Sequence, residues 1–240
     1  MTVAVIGATG GVGAALARRL RAQGRVPLLI GRDAARLEAL AAELDAPHAV
    51  ADALRPETLA EALASAGPVL EGLAYCVGSI PLKPLARLAE ADFLDAFRLN
   101  ALGAALAVQA AQKALARAEG GGSVVLFSSI AARQGFANHA AIAAAKGAVE
   151  GLVVALGAEL APAIRVNAIA PSLMRTGIAA PLTGNTAMAE AIAKLHPLPR
   201  LGQAEDAAGL AAFLLSAEAA WISGQVIGVD GGRASLRSKG

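Results

Sequence analysis

Gly7-Ala8-Thr9-Gly10-Gly11-Val12-Gly13 is the first run in the chain whose residue types and spacing suggest chemistry. It follows an apolar stretch, residues 3–6, and opens a stretch with helical spacing, residues 13–23. Glycines at a strand-to-helix turn remove Cβ atoms, so a ligand can approach bare backbone. The free N–H groups and positive dipole end of the helix then favour an anion. Together these features point to a dinucleotide pyrophosphate. Gly7 would make the turn, Gly11 would allow close approach, and Gly13 would let the helix lie tight on the sheet. Thr9, Gly10 and Val12 complete the expected cofactor-binding loop. At the end of the next apolar run stands Gly31-Arg32-Asp33. A carboxylate here, about 20 residues past the glycines, would bond the ribose 2′-hydroxyl of NAD. Arg32 instead suits a 2′-phosphate, with Gly31 leaving room for it, which favours NADP(H) over NAD(H). The alternative is that Asp33 still reaches the ribose, although Asp33 also reads as a helix N-cap.

The elements needed to hold such a loop are legible along the chain. Residues 3–6, 27–30, 48–51, 73–77, 124–128, 165–169 and 226–229 read as strands. Most lack polar alternation, as parallel strands covered on both faces do. Helical stretches at 13–23, 34–44, 56–65, 89–117, 141–160 and 204–215 lie between them, with Pro56 opening the third. Strand–helix alternation of this kind predicts one α/β domain over residues 1–240, with a doubly wound parallel sheet of about seven strands in a three-layer α/β/α sandwich. Residues 172–200 break the rhythm with Pro, Gly, Thr and Asn, and read as a substrate lid rather than scaffold. Residues 235–240 form a short biased tail.

Composition narrows the function classes. In 240 residues, 56% are hydrophobic and 17% charged, which excludes a disordered chain. No window of about eighteen residues is free of charged residues, Gln and Pro, so no membrane span is expected. Twenty-one Lys and Arg against nineteen Asp and Glu give only +2, and aromatics are 3%, so neither a basic stripe nor a stacking platform for nucleic acid is visible. The single cysteine, Cys76, rules out an internal disulfide and argues against a structural metal site. With residues 2–6 already reading as a strand rather than a leader, a cytoplasmic location is expected.

Over nearly its whole length the chain resembles the short-chain dehydrogenase/reductase family, whose fold is of the Rossmann type. Gly-x-x-x-Gly-x-Gly at 7–13 is similar to the family's nucleotide loop. Asp52 stands where the family has an Asp near the adenine, and Cys76-Val77-Gly78 where it usually has Asn-Ala-Gly. Asn100 falls at the helix-kinking Asn, where the resemblance implies a kink that supports Lys146. Ser129 and Lys146 fall at the substrate-binding Ser and the Lys of the nicotinamide ribose. Arg165-Val166-Asn167-Ala168-Ile169-Ala170-Pro171, then Met174 and Thr176, resembles the segment that holds the nicotinamide amide. The resemblance also implies a homodimer or homotetramer using the helical stretches 89–117 and 141–160, with the closing strand at a second interface.

One position departs from the pattern. Carbonyl-reducing members generally place a proton-donating Tyr four residues before the Lys; here Ile142 stands thirteen residues after Ser129 and four before Lys146. The single tyrosine, Tyr75, belongs to the fourth strand. Loss of a general acid costs about two to four orders of magnitude in rate. Three readings remain open. His139, three residues before Ile142, could supply the acid; Lys146, or Ser129 through a water, could handle the proton; or the chain could bind dinucleotide without reducing carbonyls. Gly135, Phe136, Leu173, Met174, Ile178, Leu182, Met188 and Leu195 predict an apolar substrate pocket. The stretch 196–200, His-Pro-Leu-Pro-Arg, reads as structural, and Cys76 as a small buried hydrophobe.

Overall fold

The computed structural model describes residues 2–237, so residues 238–240 of the expected tail lie outside it. Strands β1 (Thr2–Ile6), β2 (Val26–Gly31), β3 (His48–Val50), β4 (Gly72–Tyr75), β5 (Gly122–Phe127), β6 (Ile164–Pro171) and β7 (Val226–Val229) form one sheet. Its order is β3-β2-β1-β4-β5-β6-β7, with every pairing parallel. Side chains alternate between the faces. Val3 and Val5 enter one core layer, Ala4 and Ile6 the other. The first layer packs under α1 (Gly11–Ala22), α2 (Ala34–Leu44) and α9 (Ala204–Leu214). The second packs under α3 (Pro56–Ala64), α5 (Gly103–Leu115) and α6 (Ala140–Leu160). This is the three-layer Rossmann-type α/β fold expected. The strand order reverses between β1 and β4, and the crevice beyond their C-terminal ends is where such sheets take ligands.

Local departures from the expected elements have physical reasons. The stretch 89–117 is not one helix. It divides into α4 (Glu90–Phe97), a π-helical segment at Arg98–Leu102, and α5. In that segment Gly103 N–H reaches back five residues to Arg98 O, and Leu99 O is taken by the phenol of Tyr75 at 2.7 Å. Gly103 makes room, since a Cβ there would sit 2.3 Å from the Tyr75 hydroxyl. Tyr75 is thus a core strut, its phenol pushed up in pKa mainly by burial. Strand β4 stops at Tyr75, two residues before the expected end, and frees Cys76–Gly78 as a loop over the crevice.

The stretch 172–200 is not irregular throughout. It holds a 3-10 turn at Gly177–Ala179, α7 (Ala180–Thr183) and α8 (Thr186–Ala193), the last capped by the Asn185 side chain accepting from Met188 N–H at 3.0 Å. The Asp33 cap is present too, accepting from Arg36 N–H at 3.1 Å. Helix α6 is long and apolar enough to cross a membrane by length and composition. Here it packs on β5, β6 and α4 and turns Lys146 inward, with a third of its apolar window buried.

Candidate active site

The glycine loop is shaped by what cannot fit. A Cβ on Gly13 would lie 2.2 Å from Gly7 O, so only glycine lets α1 start this close to the end of β1. Gly7 itself has φ +82°, the left-handed region. The N–H groups of Gly7 and Ala8 both donate to Ile30 O, at 2.8 and 3.0 Å, and tie the loop to β2. Helix bonding begins at Ala14 N–H to Gly10 O, 2.9 Å, and Gly10 brings no capping side chain. The N–H groups of Gly11, Val12 and Gly13 therefore have no acceptor among the described residues. An uncapped helix start without an acidic residue, over the switch point, fits a dinucleotide diphosphate.

Beside this loop, Arg32 is exposed on the connection after β2. Sequence reasoning missed Arg36, whose Nη2 donates to Thr9 O at 2.6 Å and so flanks the same edge. Its position one turn into α2, three residues after the cap, was the available signal. Asp52 braces its own turn by accepting from Leu54 N–H at 3.0 Å. Val77 packs on Gly7, and the Cys76 thiol, pushed up to about 12 by burial, behaves as the small apolar group expected.

A cavity of about 310 Å³ continues from the loop. Its walls bring together Val12, Cys76, Val77 and Gly78 from the β1 and β4 ends, Ser129 and Lys146, and Pro171, Met174 and Thr176 after β6. His139 and Ile142 stand in the same wall. The apolar pocket expected from the sequence is met by Phe136, Leu173, Met174, Ile178 and Leu182, while Gly135, Met188 and Leu195 are not part of it. Thr176 also touches the loop: a Cβ on Gly11 would meet its methyl at 2.7 Å.

Three elements meet at Gly78, whose absent Cβ would lie 3.2 Å from Asn100 Oδ1 and 3.4 Å from Lys146 Nζ. Asn100 is buried in the π-helical segment. Its Nδ2 donates to Ala96 O at 2.8 Å and Ser79 Oγ at 3.1 Å, and its Oδ1 has no partner among the described residues. Lys146 Nζ donates to Phe127 O at 2.7 Å, which leaves further N–H groups for a ligand hydroxyl. Burial lowers its ammonium to about 8. Ser129 Oγ accepts from Ala131 N–H at 3.1 Å, so its own hydrogen is free to reach into the cavity. Behind it Glu150, one turn after Lys146 on α6, accepts from Ser128 Oγ at 2.9 Å and pairs with Arg133. That clamp on the β5 loop was not anticipated. His139 Nδ1 lies 2.7 Å from Ala137 O, and its ring packs against Phe136 with centroids 5.3 Å apart. Ile142, 4% exposed, presents only hydrocarbon where a phenol would reach. Among the described residues no group of His, Cys, Asp or Glu is arranged to hold a metal ion.

Comparisons with known proteins agree with this fold. A family described as enoyl-(acyl carrier protein) reductase matches residues 7–234. An uncharacterized oxidoreductase of Methylorubrum extorquens is 33% identical over 243 residues, covering 95% of each chain. A short-chain type dehydrogenase/reductase from Mycobacterium ulcerans superposes with a TM-score of 0.91 at 32% identity, over 98% of this chain and 90% of that one. A gluconate 5-dehydrogenase from Burkholderia cenocepacia, in complex with NADP and tartrate, does so with a TM-score of 0.91 at 27% identity, over 98% and 96%.

Proposed function

The chain belongs to the short-chain dehydrogenase/reductase family and is an NAD(P)-dependent oxidoreductase, and from that premise we propose that it uses NADP(H) to interconvert a small, largely apolar carbonyl and its alcohol. The observation that carries this reading is the uncapped start of α1, opening onto the cavity that also holds Lys146 and Ser129. When bound, the dinucleotide supplies or accepts a hydride. The chain's own residues do the rest. N–H groups of Gly11, Val12 and Gly13 bind the diphosphate, with Gly7, Thr9 and Gly10 shaping the turn. Arg32 and Arg36 meet the 2′-phosphate beside Thr9, and Asp52, Cys76, Val77 and Gly78 line the adenosine side. Lys146 bonds the nicotinamide ribose, braced by Asn100. Pro171, Met174 and Thr176 hold the nicotinamide, and Ser129 orients the substrate oxygen.

The lining favours a substrate without several charges. Phe136, Ile142, Leu173, Ile178 and Leu182 face it, and the 172–200 segment covers it as a lid. His139, at the entrance to α6, is the proton carrier nearest the vacant phenol position along the chain. The protein acts as a homodimer or homotetramer. Leu94 and Phe97 on α4 and Val154 on α6 are exposed apolar side chains on the two helical stretches, and Trp221 is fully exposed beside β7.

Fluorescence titration with NADPH and NADH tests the cofactor assignment. Removing a charge-assisted bond of about 1.5–3 kcal/mol is expected to weaken NADPH binding by at least tenfold in Arg32→Ala, with NADH changed little. Equal effects on both coenzymes would refute the 2′-phosphate assignment.

A further inference from the structure

Behind the C-terminal ends of β6 and β7 lies a second cavity, of about 360 Å³. Ser172 and Leu173 line both this cavity and the first. His196 lines the second one and is 3% exposed. Its Nε2 stands 2.8 Å from Ser172 Oγ, while its Nδ1 lies 2.9 Å from Ile192 O and 3.3 Å from Ala193 O. Two carbonyls facing Nδ1 keep a proton there, so the neutral ring must accept at Nε2, from the Ser172 hydroxyl. Ser172, in the wall of the substrate cavity, thus has its hydroxyl backed by a base that lines a separate cavity. Neither Ser129, whose Oγ accepts a backbone N–H, nor Lys146, bonded to Phe127 O, has such a partner behind it.

We propose that Ser172 is a catalytic residue that passes the proton between the substrate oxygen and His196, in place of the missing phenol. The proposal rests on the oxidoreductase reading above. In the oxidative direction the alcohol O–H bond breaks and its proton goes to Ser172 Oγ. The Oγ–H bond breaks in turn, and that proton goes to the lone pair of His196 Nε2, forming the imidazolium. The hydride leaving the alcohol carbon is the one the oxidised dinucleotide takes up, so the alcohol loses two electrons and two hydrogens in all. Reduction runs each transfer backwards. His196 acts through Ser172 and is a positioning residue that also stores the proton, which returns by way of Ser172 Oγ because Nδ1 is held by the Ile192 and Ala193 carbonyls. Other charged groups near the ring are already engaged. Arg200 and Asp206 pair with each other at 2.6 and 2.9 Å, Asp230 accepts from the N–H groups of Gly232 and Ala234, and Glu190 on α8 and Lys194 just past its end are exposed.

The test compares wild type, Ser172→Ala, His196→Gln and the Ile142→Tyr/Ser172→Ala double variant on a carbonyl and alcohol panel, with NADPH affinity measured beside turnover. Ser172→Ala is expected to lose about 100-fold in kcat with NADPH affinity unchanged. His196→Gln is expected to lower kcat for alcohol oxidation with KM and NADPH affinity unchanged, a split that a merely structural histidine would not give. Restoring the phenol in the double variant is expected to recover turnover. Independently of activity, long-range proton–nitrogen NMR should find the His196 proton on Nδ1, with the Nε2 resonance moving in Ser172→Ala. Unchanged turnover in Ser172→Ala, or a proton on Nε2 of the neutral ring, overturns the proposal. A wild type that fails to bind NADPH would overturn the oxidoreductase reading beneath it as well, a result separable from loss of turnover alone.

Discussion

The glycine cradle at β1–α1 and the proton-handling wall at the start of α6 border one cavity, yet they obey different rules. In the cradle the ligand-facing groups are backbone N–H, and the constraint is space: a Cβ on Gly13 would fall 2.2 Å from Gly7 O. In the wall the working groups are side chains, and there the phenol is replaced by Ile142 while Ser129, Lys146 and Asn100 remain in contact with the cavity or its corner. Backbone chemistry leaves little freedom to substitute. Side-chain proton transfer can be handed to another group in reach, because what matters is a titratable atom at the right place.

The sharpest way to break this contrast is Gly13→Ala. With backbone on the other side of the clash, α1 must shift, and overpacking of this kind costs about 3 kcal/mol or more. Thermal unfolding and NADPH titration are expected to show both the loss of stability and the loss of binding. An unperturbed variant would mean that the cradle tolerates side chains after all.

In the wall, the burial of Lys146 should be readable from pH. Its ammonium is lowered from 10.5 to about 8, so between those values the unfolded chain holds a proton that the folded chain has released. Unfolding free energy from this group therefore rises with pH across that window, by about 3 kcal/mol at ~1.36 kcal/mol per pK unit. Below pH 8 the group is charged in both states and its desolvation cost is fully present. Chemical denaturation should show wild type gaining on Lys146→Met as pH rises from 8 to 10.5. A constant difference would mean that the ammonium is solvated.

Smaller effects are expected further along the same comparison. Ile142→Tyr is expected to raise carbonyl reduction about ten- to 100-fold, less than the full value of a general acid if another group already moves the proton. Turnover kinetics decide, and a fall in rate would mean that the cavity cannot accommodate the ring. Asp33→Ala, away from the chemistry, is expected to cost about 1 kcal/mol as a lost N-cap, with NADPH affinity unchanged. A large drop in affinity would instead support the reading in which Asp33 reaches the ribose.

The same distinction explains what could be read from the residues. The cradle is legible because glycine spacing after an apolar strand states a steric requirement directly, and α2 appears with its expected bounds because Asp33 caps it and Leu37, Leu40 and Leu44 repeat at helical spacing. The interruption at Arg98–Leu102 is invisible to periodicity, since it depends on Tyr75 taking the Leu99 carbonyl from another element. Helix α8 was hidden by the Gly, Pro and Thr around it. Arg36 and the Ser172–His196 pair were missed because their partners lie 27 and 24 residues away in the chain, and only the fold brings them within a hydrogen bond.

Calorimetric titration of the purified chain with NADPH, beside Gly13→Ala, tests the central claim most directly. Saturable binding by wild type, with release of heat that vanishes in the variant, is the predicted result. No heat from wild type up to millimolar coenzyme would contradict the assignment of the α1 start as a dinucleotide site.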